Sequence, residues 1–253
     1  MKSEILDTGL PFGQVTINPK LLLSEKNGFW TVFNLKQTEG GSALMIVPEK
    51  KVKYLYELSY TERAYLINEW SDAFCSVVGY RSHGVMLLHQ GEEAGQNIPH
   101  LHAHVFAGDI LINFPFLFLE GGAVEHLSQR YFRHFVHTET VGDESVTIHR
   151  IVPRGKYIYL REVRGSIELQ TIMMFWIEQF ILSCRDKQGN LLMIQDGEMP
   201  IQFYVIERNA PRRENNPHRK PELKTRSILE DGEFISPQVE EDISELRRLV
   251  RGK

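Results

Sequence analysis

The sequence predicts an α+β fold, an antiparallel sheet with packed helices. Three observations predict it: short aromatic and aliphatic runs bounded by Gly, helical segments placed between them, and a β-β-α-β-β order that occurs twice. The doubled order points to a duplicated half-barrel, an inference carried by the order of elements and not by residue identities between the halves. With 253 residues, 42% hydrophobic and 25% charged, the chain can bury the core of one large domain or two small ones.

Phe29 to Leu35 and Ser42 to Val47 read as strands, and Lys36 to Gly41 makes them a hairpin. Ser59 with Glu62 is a capping-box signature. Beyond it Leu66, Ile67, Trp70, Ala73, Phe74, Val77 and Val78 recur at three-and-four spacing, which predicts an amphipathic helix ending near Gly79. Gly84 to His89 is a short apolar run, Gly91 to Gln96 a connection, and Pro99 to Phe106 resumes strand character. The second set comprises the apolar run Ile110 to Leu119, a helix from Ala123 to Val136, and strands at Val146 to Val152 and Lys156 to Val163. A helix from Ser166 to about Cys184 and strands Leu191 to Gln195 and Ile201 to Glu207 complete it. Ser236 as cap, Pro237 at the first position, acidic residues in the first turn and Arg247, Arg248 and Arg251 in the last predict a C-terminal surface helix.

A balance of 29 Lys+Arg against 33 Asp+Glu gives a formal charge of −4, so no strongly positive field is available for nonspecific nucleic-acid binding, and any such contact is local. Cys75 and Cys184 each fall inside an apolar stretch, which argues against a disulfide framework and for a reducing compartment. The N-terminal residues have neither the apolar core of a secretory signal nor the Arg and Ser enrichment of a transit peptide, so a cytoplasmic location is expected. The most apolar stretches fall short of the roughly 20 residues a membrane-spanning helix needs.

The chemistry concentrates in Gly95-Gln96-Asn97-Ile98-Pro99-His100-Leu101-His102-Ala103-His104-Val105-Phe106. On a strand, alternate side chains share a face, so His100, His102 and His104 are expected to meet one pocket while Leu101, Ala103 and Val105 face the core. A neutral imidazole is a competent nucleophile near pH 7, and attack on phosphorus through a phosphoramidate splits one hard displacement into two.

This segment resembles the signature of the histidine triad (HIT) superfamily, His-φ-His-φ-His-φ-φ behind a Gly-Gln step, and the likeness extends over about residues 10 to 110. The resemblance implies a HIT-like sheet and a nucleotide hydrolase or nucleotidyltransferase that attacks an α-phosphate, with no metal or other cofactor. Substrates of that kind include phosphoramidates, dinucleoside polyphosphates and sugar nucleotides. It implies His102 as nucleophile, His100 and His104 as its catalytic companions, and Asn34, His89, Gln96 and Asn97 as substrate-binding residues. Two positions depart from the family pattern: Ser42-Ala43 stands where many members carry a fourth histidine, and His89 where an Asn is common. The transferase and phosphorylase branches tend to carry Gln at the third histidine position, so His104 favours hydrolysis.

The domain reading that follows is residues 1–109 as a HIT-like catalytic half, 110–235 as a second α+β half and degenerate repeat, and 236–253 as the surface helix. Rival readings are a two-repeat nucleotidyltransferase or phosphorylase, a nucleotide-binding protein without turnover, and a hydrolase whose histidines hold a metal. The partner expected is a small-molecule nucleotide, with no membrane. A local contact with RNA or DNA ends through the basic stretch 208–226 is weighed against a solvated loop, and a homodimer is open to such a chain. His126, His134, His137 and His149 show no ligand spacing, and Met173 to Trp176 reads as helix core.

Overall fold

Aromatic and β-branched runs give strands because such side chains pack well on a pleated, half-buried surface. In the computed structural model they build β1 (Leu10–Phe12), β2 (Val15–Ile17), β3 (Leu22–Lys26), β4 (Phe29–Asn34), β5 (Ala43–Pro48), β6 (Gly84–Gln90) and β7 (Ala103–Ala107). The later strands are β8 (Val124–Ser128), β9 (Phe132–Val141), β10 (Glu144–Pro153), β11 (Gln188–Gln195) and β12 (Gln202–Arg208). The helices are α1 (Tyr60–Val77), α2 (Leu160–Val163), α3 (Ile167–Cys184) and α4 (Pro237–Arg251). The structure describes residues 10–34 except 14, 43–108 except 79–82, 92, 93, 95 and 97, 124–208 except 142, 143, 186 and 187, and 237–251. The expected linker 36–41, the run 110–119 and most of the basic stretch 208–226 lie outside them.

Among the described residues β1 and β2 form a small ribbon, and the other ten strands one antiparallel sheet in the order β3-β4-β5-β7-β6-β11-β12-β10-β9-β8. α1 and α3 lie side by side on one face, with Trp70 and Trp176 stacked at 5.5 Å and Ser71 Oγ donating to Met173 Sδ. Their apolar sides join one core that includes Phe74, Phe180, Leu88, Leu191 and Val205, drawn from both halves of the chain. α4 docks Ile243 and Leu246 against this body, and Arg247 donates to the carbonyls of Lys20 and Leu22. No helix among the described residues is long and apolar enough to cross a membrane.

Three segments differ from the sequence reading. β3 pairs with β4 through Asn27-Gly28, both at positive φ, the two-residue hairpin signal that an Asn-Gly step supplies. The helix expected over Ala123 to Val136 is instead β8 and β9. Phe132 and His134 face inward, Arg133 and Phe135 stack on the opposite side, and this period-two alternation prevails over helical spacing. The strand expected over Lys156 to Val163 is a turn followed by α2: Glu162 accepts hydrogen bonds from the amides of Ile158 and Tyr159 and so starts the helix there.

That turn has a counterpart in the first half. Glu57 accepts from the amides of Lys53 and Tyr54, as Glu162 does from Ile158 and Tyr159. Gln90 Oε1 accepts from Leu55 N at 3.3 Å, and Gln195 Oε1 from Leu160 N at 2.8 Å. Leu101 N donates to Val52 O, and Ile201 N to Tyr157 O. The Trp70 indole donates to the carbonyl of His104, and that of Trp176 to the carbonyl of Tyr204. Phe29 pairs with Pro48 and Phe132 with Pro153. The strand order within the halves is likewise the same, β3-β4-β5-β7-β6 and β8-β9-β10-β12-β11.

The halves meet where β6 pairs with β11, and Arg63–Glu178 and Arg164–Asp72 ion pairs tie α1 to the second half from both directions. A chain ending near Asp109 would lose the partner of β6 and half the core. We expect it to show no cooperative urea transition by circular dichroism, whereas the full chain should show one. A folded, soluble truncation would separate the halves.

Candidate active site

The loop before β7 sets the site. Gly91 N donates to Gln96 Oε1 at 2.8 Å, and Gln96 Nε2 reaches the carbonyls of Lys53 and His100, both at 3.4 Å. Gln96 is 4% exposed, and both ends of its amide serve the loop. Asn97 lies outside the described residues.

The strand of three alternating histidines is shorter than the sequence suggests: β7 begins at Ala103, and His100 N bonds back to Ile98 O. His100 Nδ1 accepts from Gly13 N at 3.1 Å while its Nε2–H donates to Pro48 O at 3.0 Å, so both ring nitrogens are spent on main chain. Gly13 has φ +65°, and a Cβ there would sit 2.9 Å from Ile98 Cγ2, so conformation and space both require glycine. His100 therefore acts by holding the loop. Its carbonyl fixes the next histidine.

His102 donates Nδ1–H to that carbonyl at 2.8 Å, which leaves the Nε2 lone pair uncommitted. Its ring is set edge-on to Phe12 at 5.1 Å and to His104 at 4.8 Å. Burial pushes the His102 pKa down to about 4; the His100 carbonyl opposes this, and the neighbouring His89 and His100 add to it. His104, partly open to solvent, is held well below the ordinary value by burial first, then by His102 and His89. Burial likewise lowers His89 and His100. The cluster is therefore neutral near pH 7. His104 Nδ1 is buried with no hydrogen-bond partner, which leaves a polar atom for a ligand to satisfy.

Directly paired residues in a ladder share a face. His104 pairs with Leu87, so His89, two positions along β6, lies on the same face, with its ring 5.9 Å from that of His104. Asn34 pairs with Ala43 and Ala43 with Phe106, which puts Asn34 on this face two strands away. Ala43 itself, where a fourth histidine would stand, presents no imidazole. The structure thus gathers His89, His102, His104 and Asn34 on the face opposite the helices and turns His100 and Gln96 to the backbone.

Sequence reading missed Asn190 on β11. Its Nδ2 lies 2.6 Å from His89 Nδ1 and 2.9 Å from Ala94 O. No spacing links residues 101 positions apart, and only the β6–β11 register brings them together.

In the second half the indole bonds make Tyr204 the counterpart of His104, and hence Gln202 that of His102. Tyr204 donates to Gln202 Oε1 at 2.6 Å, and burial pushes its pKa up to about 12, against the opposing influence of Arg150. Neither side chain is a nucleophile at neutral pH. Elsewhere His134 Nε2 and His149 Nδ1 meet at 3.1 Å, with Ser183 and Glu207 near His149, on the helix side of the sheet. Among the described residues no group of three or more His, Cys, Asp or Glu side chains is disposed to hold a metal ion.

Residues 27–110 match the family model of the HIT domain. No curated protein sequence matches the chain. Among solved structures, a DUF4931 family protein from Bacillus cereus is similar over 90% of this chain and 98% of its own, with a TM-score of 0.56 and 10% identity. An ADP-glucose phosphorylase from Arabidopsis thaliana is similar over 73% of this chain and 72% of its own, with a TM-score of 0.50 and 10% identity. At such identities these likenesses speak for the fold. With the family match over 27–110 and the histidine cluster within it, residues 27–110 of the chain are a HIT domain.

Proposed function

We propose that the chain is a nucleotide hydrolase that attacks the α-phosphate of a nucleotidyl substrate through a covalent intermediate on His102. The observation that supports this is the hydrogen bond from His102 Nδ1 to the His100 carbonyl, which leaves Nε2 as a neutral nucleophile beside two further imidazoles. In the first step the Nε2 lone pair forms a bond to phosphorus, the bond to the leaving group breaks, and the leaving group departs with that electron pair and takes up a proton. The ring becomes a cationic N-phosphoryl imidazole. Its Nδ1–H already faces a carbonyl oxygen, whose partial charge stabilises the cation. Water then attacks phosphorus, the P–N bond breaks, and neutral His102 returns with release of a nucleoside monophosphate and a proton.

His104 and His89 are assigned to the non-bridging oxygens, where negative charge grows in the transition state, and Asn34 to the ribose. Residues 110–235 are assigned as the second half of a duplicated unit without a nucleophile, supported by Gln202 and Tyr204 at the corresponding positions. The fold likeness to the Arabidopsis phosphorylase favours a second reading, in which an acceptor such as phosphate takes the nucleotidyl group in place of water. Local contact with RNA or DNA ends through 208–226 belongs to the same proposal; Arg208, the described residue of that stretch, acts electrostatically on His89.

The test is incubation with adenosine phosphoramidate, a dinucleoside polyphosphate and a sugar nucleotide, with and without phosphate and with and without chelator, scored for monophosphate release. His102→Ala and His102→Asn should bind nucleotide nearly as the parent does and lose turnover by about 10⁴ to 10⁶, as when a catalytic nucleophile is removed. His104→Ala should cost less. Parental turnover in His102→Ala would sink the assignment. Loss of parental turnover on chelation, with one bound metal removed, would favour the metal reading.

The pH dependence carries a definite sign. Protonation removes the Nε2 lone pair, so activity falls as pH drops through the His102 pKa, which is about 4 and not 6.5. The acid limb of kcat/KM should therefore lie near pH 4, with no inflection between pH 6 and 7. An acid limb of the parent centred near 6.5 would contradict this and show the imidazole to be solvated.

A further inference from the structure

Asn190 belongs to the second half, yet it reaches the site through the ladder that joins the halves, paired on the main chain with His89. It is 1% exposed. Its amide orientation follows from its neighbours. Ala94 O can only accept, so the nitrogen must face it, and the second hydrogen of that NH₂ is left for His89 Nδ1. An Nδ1 that accepts carries no proton, and a neutral ring then holds its proton on Nε2. With Nδ1 turned toward β11, Nε2–H is the donor left to the ring, which stands 5.9 Å from that of His104 on β7.

The other end of the amide points to the same conclusion. Asn190 Oδ1 is buried and has no hydrogen-bond partner. A buried acceptor left unsatisfied weakens a fold, and a leucine of similar volume would avoid it. What the amide contributes is its nitrogen.

We propose that Asn190 is a positioning residue of the active site, fixing His89 as the Nε2–H tautomer so that His89 donates a hydrogen bond to a non-bridging phosphoryl oxygen of a nucleotidyl group at His102. This deepens the proposed function and rests on it for the identity of the ligand. It also makes the site a joint product of the two halves. Among the described residues the groups that face His89 are His102 and His104 from β7, Arg208 from β12, Asn190 from β11 and the Ala94 carbonyl, which raises the His89 pKa against burial and accepts from the Asn190 amide at 2.9 Å.

The test is histidine-ring ¹⁵N NMR on the full chain between pH 6 and 8, with His89→Asn identifying the His89 signals by their loss. The parent should show His89 as the neutral Nε2–H tautomer, and AMP should shift that proton's signal. Asn190→Asp puts an acceptor at Nδ1, so the neutral ring should move its proton to Nδ1. At pH 8 kcat/KM should drop by about tenfold to a hundredfold, and it should recover as pH falls and the imidazolium again carries Nε2–H. Asn190→Leu should lower kcat/KM by a similar factor in the parent and by less than about twofold when added to His89→Asn.

A parent His89 with its proton on Nδ1, or one unmoved by AMP, would overturn the proposal, and both readings hold even if every Asn190 variant fails to fold. Equal losses from Asn190→Leu with and without His89 would make Asn190 only a tie to the Ala94 loop. An Nε2–H ring that shifts with AMP in a chain that turns over no nucleotidyl substrate would sink the hydrolase reading and leave the positioning role standing.

Discussion

Antiparallel pairing of β6 with β11 is the constraint on which the rest depends. Each strand also has its own half's last strand on its other side, β7 beside β6 and β12 beside β11, so the junction has no free edge and the sheet runs through it. Side chains on the helix face enforce it. Gln90 spans the halves, accepting from Leu55 N and donating to the Cys184 carbonyl, while the stacked Trp70 and Trp176 each send an indole N–H to the last strand of their own half. A stacked aromatic pair contributes about 0.5 to 1.5 kcal/mol beyond its burial, and breaking the register would lose it together with the bonds around it. On the opposite face the same register sets Asn190 beside His89.

The site inherits its precision from main chain. His100 and Gln96 spend their polar groups on carbonyls and amides of the loop, and this fixes the carbonyl that orients His102. In the proposed reaction a nucleophile oriented by backbone has little reorganisation left when a substrate arrives, which is how preorganised sites lower barriers. Burial acts in the same direction, since it keeps His102 and His104 uncharged near pH 7.

Much of this was legible in the sequence where local signals were strong. The capping box Ser59/Glu62 and the apolar spacing to Val78 specify α1, and the Gly-Gln step with alternating histidines marks the site. The Asn27-Gly28 hairpin was equally legible and passed unread. Residues 123–136 were not, because a mixed apolar and charged run fits both periods until its strand partners exist: β9 is a strand because β10 pairs with it along its length. The roles of His100 and Gln96 depend on distant carbonyls at Pro48 and Lys53, and the contribution of Asn190 on a register between halves, none of which leaves a mark in local spacing. The like hydrogen bonds of Gln90 with Leu55 and of Gln195 with Leu160 fall at scattered positions, too sparse for the sequence alone to expose.

The most direct test of the account is to identify the residue that carries the nucleotidyl group. The parent chain would be mixed with an α-³²P-labelled substrate, quenched without acid, digested and mapped by mass spectrometry. The account predicts an adduct on Nε2 of His102, stable to base and hydroxylamine and released by mild acid as a phosphoramidate is. Label on His89 or His104, or on an ester-forming side chain, would contradict it.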